Sequence, residues 1–390
     1  MKRFLRINWL LLLSMIGLVA IGVVFIHSAG SARQTAALHV AWRSHALTAA
    51  FGLALYFCIA AIDYRKILDW AAWPCFAAAM VMLVAVLLLG DKVYGGRRWL
   101  WFFQPSEIAK LATIMLVAHL YGGKGAKTDF KGFLVALGIL LVPAALILAE
   151  PDLGTALVLV PAVIVMLCAA RVWTKGLVTI LLVGLIAAGA VLGAVAAAER
   201  IPDRARREAI FAKIPLRPHQ IKRLRVFLDP ELDPNGSGWN LRQAKLSIGS
   251  GSIYGKGLGK GDQKLLGYLP PSVSMNDFIF AVVAEEAGFR GSAATLALFL
   301  ALLLATVRIG AVCGDDRGRL LAAGVGTLVF CHVYVNVAMS IGLMPITGLP
   351  LPFISAGKTF LVVLMAAFGL VQSIAMHPAA DSGDEAETEK

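Results

Sequence analysis

The chain has 390 residues, 59% of them hydrophobic and only 15% charged, with a formal net charge of +12. That balance excludes a water-soluble globule, because apolar runs of about 20 residues, the length that crosses about 30 Å of hydrocarbon, recur along the chain. The excess positive charge falls in short loops and one insert between apolar runs, as membrane topology requires, so nucleic acid is not expected as a partner.

Hydropathy predicts ten spans, near 8–27, 44–62, 71–90, 106–121, 132–149, 152–170, 177–198, 291–312, 320–341 and 354–375. The expected fold class is an all-α polytopic membrane protein of about ten transmembrane helices, with one large extracytoplasmic loop containing short interfacial helices. The first run follows Lys2, Arg3 and Arg6 as in a signal peptide, but many spans follow and no small-x-small cleavage pattern precedes His27. With the N-terminus cytoplasmic, the inner loops hold Arg65 and Lys66, then Lys124, Lys127 and Lys131, then Arg171 and Lys175, then Arg317 and Arg319. The even count returns the C-terminus to the same side. The expected organisation is residues 1–198 as helices 1–7, 199–290 as the outer loop with a re-entrant segment, 291–376 as helices 8–10, and 377–390 as a disordered acidic tail. Five cysteines lie in or beside apolar runs without zinc-like spacing and read as packing residues.

Between 199 and 276 there are 14 Lys and Arg against 7 Asp and Glu, so about seven of the twelve net charges sit in this insert. Ile221, Leu224 and Leu228 recur at helical spacing with Lys222, Arg223 and Arg225 on other faces, which predicts a short amphipathic helix at the membrane surface. A turn-rich break from Asp229 to Gly238 precedes a second short helix over Trp239 to Ile248.

Four places carry candidate chemistry. Pro105 opens the fourth span and sets Glu107 and Lys110 three residues apart on one helix face, either as a structural ion pair or lining a wet cavity. Glu150 and Asp152 flank Pro151 in a sharp reversal, where they could hold a divalent cation, magnesium or manganese, bridging a pyrophosphate; Asp152 could equally cap the next helix. Residues 249–261, with six glycines, Lys256 and Lys260, have the look of a phosphate cradle, although they do not fit a Walker loop, or else form a flexible connection. Asp277 precedes an apolar stretch of about 7 residues, too short to span and therefore re-entrant or interfacial. On spacing alone it is a helix cap before it is a general base with a raised pKa.

Long stretches resemble the SEDS (shape, elongation, division and sporulation) family of membrane glycosyltransferases. They are Gly96-Arg-Arg-Trp99, Gln104-Pro-Ser-Glu-Ile-Ala-Lys110, Glu150-Pro-Asp-Leu-Gly-Thr155, Arg225-Val-Phe-Leu-Asp-Pro230, Gly236-Ser-Gly-Trp239, Gly255-Lys-Gly-Leu-Gly259, Asp277-Phe-Ile-Phe-Ala-Val-Val-Ala-Glu-Glu286, and the run from Gly342 to Ser355. The resemblance implies polymerisation of lipid II into glycan strands with release of undecaprenyl pyrophosphate, on the outer face of a bacterial cytoplasmic membrane. It implies that Asp277 is catalytic and that Glu107, Lys110 and Asp152 line a central cavity. The basic residues Arg97, Arg98, Lys245 and Lys256, with Glu150, are then expected at the substrate, and Asp152 at a metal. It further implies a class B penicillin-binding protein transpeptidase and other elongation-complex membrane proteins as partners. The wording around Gln220, Gly267 and Asn336 favours the elongation branch over the division paralogue. Two departures stand out, Met275-Asn276 before the catalytic Asp and Lys358 where a small residue is usual. A lipid transporter is the rival reading, but no repeated pair of broken helices is visible.

Overall fold

The structure, a computed structural model, describes residues 6–30, 40–93, 96–101, 103–123, 125–214 and 216–378. The predicted acidic tail beyond residue 378 lies outside the described residues. Among the described residues ten long apolar helices form the bundle: α1 (Trp9–Gly30), α2 (Ala41–Ala61), α3 (Tyr64–Leu89), α4 (Pro105–Tyr121), α5 (Phe130–Ala149), α6 (Leu153–Ala169), α7 (Thr174–Glu199), and after the insert α13 (Ile279–Val312), α14 (Asp316–Ser340) and α15 (Lys358–Met376). Eight are long and apolar enough to cross a membrane; α4 and α6 are shorter, at 17 residues each. Short carboxylates start several of them where the chain reverses. Asp63, Asp129 and Asp152 accept backbone N–H bonds from Arg65, Gly132 and Thr155 and so cap α3, α5 and α6. Exposed Leu181, Leu182, Val183, Leu185 and Ile186 on α7 make a face suited to lipid.

Loops alternate between the two ends, as antiparallel spans require. At one end Tyr64 donates to Asp315 at 2.7 Å, Arg65 reaches Asp315 and the His377 carbonyl, Arg317 pairs with Asp69, and Trp173 N–H donates to the Thr128 carbonyl. This end gathers the basic loops. The other end holds a short antiparallel hairpin, β1 (Asp91–Val93) with β2 (Gly96–Trp99), the 150–152 reversal, and the insert.

The insert contains α8 (Arg204–Phe211), α9 (Pro218–Leu228), α10 (Ser237–Ser250), α11 (Asp262–Leu265) and α12 (Pro271–Ser274). The two predicted short helices are α9 and α10. The apolar face of α9 does not lie free on a membrane surface, however: Ile221 packs with Phe211, Val195 and Ala198, against the end of α7 and against α8. Leu228, expected on that face, is exposed.

The stretch after Asp277 is not a separate segment. It is the first part of α13, which continues to Val312 through a break at Gly288, whose φ of 67° and ψ of −163° are non-helical. The boundary expected at 290 therefore falls within one helix. The glycine-rich residues 249–261 wrap this first part. Lys256 and Gly257 N–H groups donate to the Glu285 and Glu286 carbonyls at 3.0 Å, Phe289 N–H donates to Ser252, and Arg290 N–H donates to Ile253. The carboxylates are held as well: Glu285 accepts from Lys256 Nζ at 2.8 Å and from Gln263 N–H, and Glu286 accepts from Gly259 N–H and from Ser28 Oγ.

At Gly288 a Cβ would stand 2.3 Å from the Gly255 nitrogen, and the positive φ is strained for any other residue. Gly288→Ala should therefore lower the thermal unfolding temperature in detergent, with strain of about 1–3 kcal/mol before any overlap is counted. An unchanged Tm would show that the wrap is not fixed at this point.

Candidate active site

Asp277 stands two residues ahead of α13. It does not cap that helix, which begins after Phe278 without a side-chain cap. The side chain is partly exposed, and its backbone is pinned from two sides. Ser355 Oγ donates to the Asn276 carbonyl at 2.7 Å, and Ala356 N–H donates to the Met275 carbonyl at 3.1 Å. Asn336 Nδ2 donates to the Asp277 carbonyl at 2.9 Å and to Leu349 at 2.7 Å. The departures at 275–276 are tolerable for this reason: these bonds are made to main-chain atoms.

The irregular segment 347–352 lies over Asp277, and polar side chains claim its carbonyls. Arg223 from α9 donates to Thr347 at 2.7 Å. Asn336 takes Leu349, and His332, one turn earlier on α14, stands with Nδ1 3.3 Å from the Pro350 carbonyl. His332 Nε2 lies 2.9 Å from Lys110 Nζ, so the ring donates through Nδ1 and accepts the ammonium proton at Nε2. Lys110 also pairs with Glu107 at 2.9 Å and sits 5.2 Å over the Phe360 ring. Glu107, Lys110 and His332 are 3%, 1% and 0% exposed, so their side chains are enclosed by the bundle. Through His332 they hold the segment over Asp277, where the expectation was that Glu107 and Lys110 contact substrate.

Arg98, from β2, donates to the Glu150 carbonyl at 3.4 Å and to that of Pro151, and Arg217 donates to Ala149 at 3.0 Å. Glycine at 348, with φ 78°, leaves room where a Cβ would lie 3.5 Å from Asp277 Oδ2 and 3.9 Å from Arg223 Nη2. The site is thus a carboxylate among guanidiniums. Burial pushes the Asp277 carboxyl up to about 6, against the downward pull of Arg223 and Arg98, with Asp152 adding to the rise. Burial lowers Arg223 too, reinforced by Arg98 and opposed by Asp277 and Asp152. Burial and then the three arginines 223, 98 and 217 lower His219, favouring its neutral form.

Glu150 is fully buried, and neither carboxyl oxygen has a hydrogen-bond partner among the described residues. Burial, with help from Asp152 and against Arg98, pushes it up to about 8, so it is mostly a neutral acid at pH 7. Asp152 takes the capping role: Oδ1 accepts from Thr155 N–H and Oδ2 from Gln104 Nε2. Among the described residues no group of three or more His, Cys, Asp or Glu could hold a metal. A magnesium or manganese ion beside Asp152 would therefore take most of its oxygen ligands from a substrate pyrophosphate and water.

Three expected substrate contacts lie elsewhere. Arg97 donates to the Leu87 and Leu88 carbonyls at the end of α3. Lys256 is bound by Glu285 and Asp262, so the apparent phosphate cradle already holds the chain's own carboxylates. Lys245 is exposed on α10 and packs beside Gly342. Arg223, Arg217, His332 and Asn336 belong to the constellation without having been expected there. A signal existed for two of them: polar residues four apart inside an apolar span face a protein interior.

The family model described as "Cell cycle protein" (FTSW_RODA_SPOVE) matches residues 8–380. The chain is 36% identical to peptidoglycan glycosyltransferase MrdB of Escherichia coli K12, over 84% of each chain. It is 34% identical to "Probable peptidoglycan glycosyltransferase FtsW" of Trichlorobacter lovleyi, over 95% of this chain and 94% of the relative. A solved chain from work on a peptidoglycan synthase complex that coordinates polymerization and crosslinking superposes with a TM-score of 0.74 at 26% identity, over 96% of this chain and 99% of that one.

Removing a cation beside Asp277 should raise its pKa and removing an anion should lower it. Infrared titration of the labelled carboxyl should show the midpoint moving up from about 6 in Arg223→Ala and Arg98→Ala and down in Asp152→Asn. A midpoint that stays fixed in all three variants would separate Asp277 from this charge cluster.

Proposed function

The chain belongs to the FtsW/RodA/SpoVE family of cell cycle proteins, and we propose that it is a peptidoglycan glycosyltransferase that polymerises lipid II with Asp277 as its general base. The observation that carries this reading is a partly exposed carboxylate with a pKa near 6, set among arginines. At neutral pH such a group is mostly ionised yet basic enough to take a proton in the transition state.

Asp277 accepts the proton of the C4 hydroxyl on an acceptor N-acetylglucosamine as that oxygen attacks the anomeric carbon of the lipid-linked donor sugar. The new carbon–oxygen bond forms while the bond to the pyrophosphate breaks, with inversion. Undecaprenyl pyrophosphate leaves with the electron pair, and Asp277 returns its proton to water. Arg98, Arg217 and Arg223 offset the charge that develops on the leaving group, where fixed cations are most effective. The Glu107–Lys110–His332 chain works indirectly, by fixing the segment that covers Asp277.

In this reading the basic-loop end faces the cytoplasm and Asp277 faces outward, as the distribution of Lys and Arg favours. The similar proteins carry names from both the elongation and the division branches, and the motif wording supports elongation. The likeness to a chain of a synthase complex supports a crosslinking transpeptidase of the class B penicillin-binding type as partner.

Purified protein given lipid II should make glycan, and Asp277→Asn should lower turnover by about 10²–10⁴-fold. In wild type, turnover should rise with pH through about 6 and level above 7, because the base must lose its proton. A fully active Asp277→Asn sinks the assignment, and movement of lipid II between leaflets without polymer would favour transport. Arg98→Ala and Arg223→Ala should raise KM for lipid II and weaken its salt dependence. Arg97→Ala and Lys256→Ala, whose side chains are engaged elsewhere, should leave KM near wild type; the opposite pattern would move the phosphate site to the glycine-rich segment.

A further inference from the structure

At the basic end of the bundle, far from Asp277, α1, α13 and α15 leave a cavity of about 240 Å³. Arg6 and Arg308 flank it, and Ile7, Ile309, Val312 and Ile374 supply aliphatic walls. Both arginines are exposed, and among the described residues neither has a salt bridge or a side-chain hydrogen bond. Their neighbours differ: Arg65 is paired with Asp315, Arg317 with Asp69 and Arg319 with Asp316.

Arg308 lies just over one turn before the end of α13, and Arg6 lies just before α1, the depth at which phospholipid headgroups surround a spanning helix. A long cation that merely snorkels needs no cavity. Two guanidiniums converging on an aliphatic hollow offer charge to a phosphate and apolar surface to acyl chains, which free phosphate cannot use.

We propose that this cavity is a binding site for one anionic phospholipid, its phosphate held between Arg6 and Arg308. The site goes beyond the proposed polymerase reaction and does not depend on it.

The full chain in neutral detergent, titrated with phosphatidylglycerol or phosphatidylcholine and read by native mass spectrometry, tests this directly. The first phosphatidylglycerol should bind well ahead of phosphatidylcholine. Arg6→Ala and Arg308→Ala should each weaken it about fivefold, while Arg308→Lys keeps most of the affinity. Lys66→Ala, an exposed cation at the same end but outside the cavity, should leave it unchanged. Equal binding of the two lipids, or an equal loss in Lys66→Ala, would reduce the effect to diffuse attraction and overturn the site. Displacement by millimolar inorganic phosphate would make it a plain phosphate site. Binding seen only after removal of residues 379–390, which carry five acidic side chains, would mean that the chain's own end fills the cavity, and would overturn the proposal equally.

Discussion

Backbone that leaves a helix inside an apolar bundle must find hydrogen-bond partners within the protein, because hydrocarbon offers none. The segment 347–352 is such a backbone. Its carbonyls at Thr347, Leu349 and Pro350 are met by Arg223, Asn336 and His332. These donors are in turn constrained: His332 by Lys110 and Glu107, Asn336 by the carbonyl of Asp277. One requirement, satisfying three carbonyls, thus joins α4, α9 and α14 and fixes the main chain on which the Asp277 carboxylate sits.

The same geometry sets the electrostatics. Arg223 holds Thr347 with one nitrogen and turns the other toward the space beside Gly348 and Asp277. Arg98 and Arg217 are anchored by carbonyls at the end of α5, and the charge of Arg98 reaches Asp277. Carbonyl anchoring orients a guanidinium without neutralising it, which distinguishes these arginines from Arg225, paired with Glu199. A burial-raised carboxylate and uncompensated cations side by side suit both a proton acceptor and an anionic leaving group.

The glycine-rich segment shows how a motif can mislead. Its N–H groups and Lys256 do converge on anionic oxygen, as such residues are built to do. The oxygen belongs to Glu285 and Glu286, eight and nine positions beyond Asp277. Binding them clamps the first part of α13, so the segment fixes the position of a helix.

Sequence alone determined the ten-helix bundle, because the length and apolarity of a span are local quantities that the bilayer reads directly. Neighbours within a few residues also offered the cap at Asp152 and the Glu107–Lys110 pair as one of two readings each, while Asp277 stood out through extended motif resemblance and not through its spacing. Only the tertiary structure decided which basic residues face Asp277. Arg97 and Arg98 are adjacent in sequence, yet the hairpin sends one to the end of α3 and the other toward Glu150 and Asp277. Arg223 is more than fifty residues from Asp277 in the chain, and Asn336 and His332 are a comparable distance beyond it. Such contacts depend on how α9 and α14 pack against α13, and charge pairing has no sequence period to reveal them.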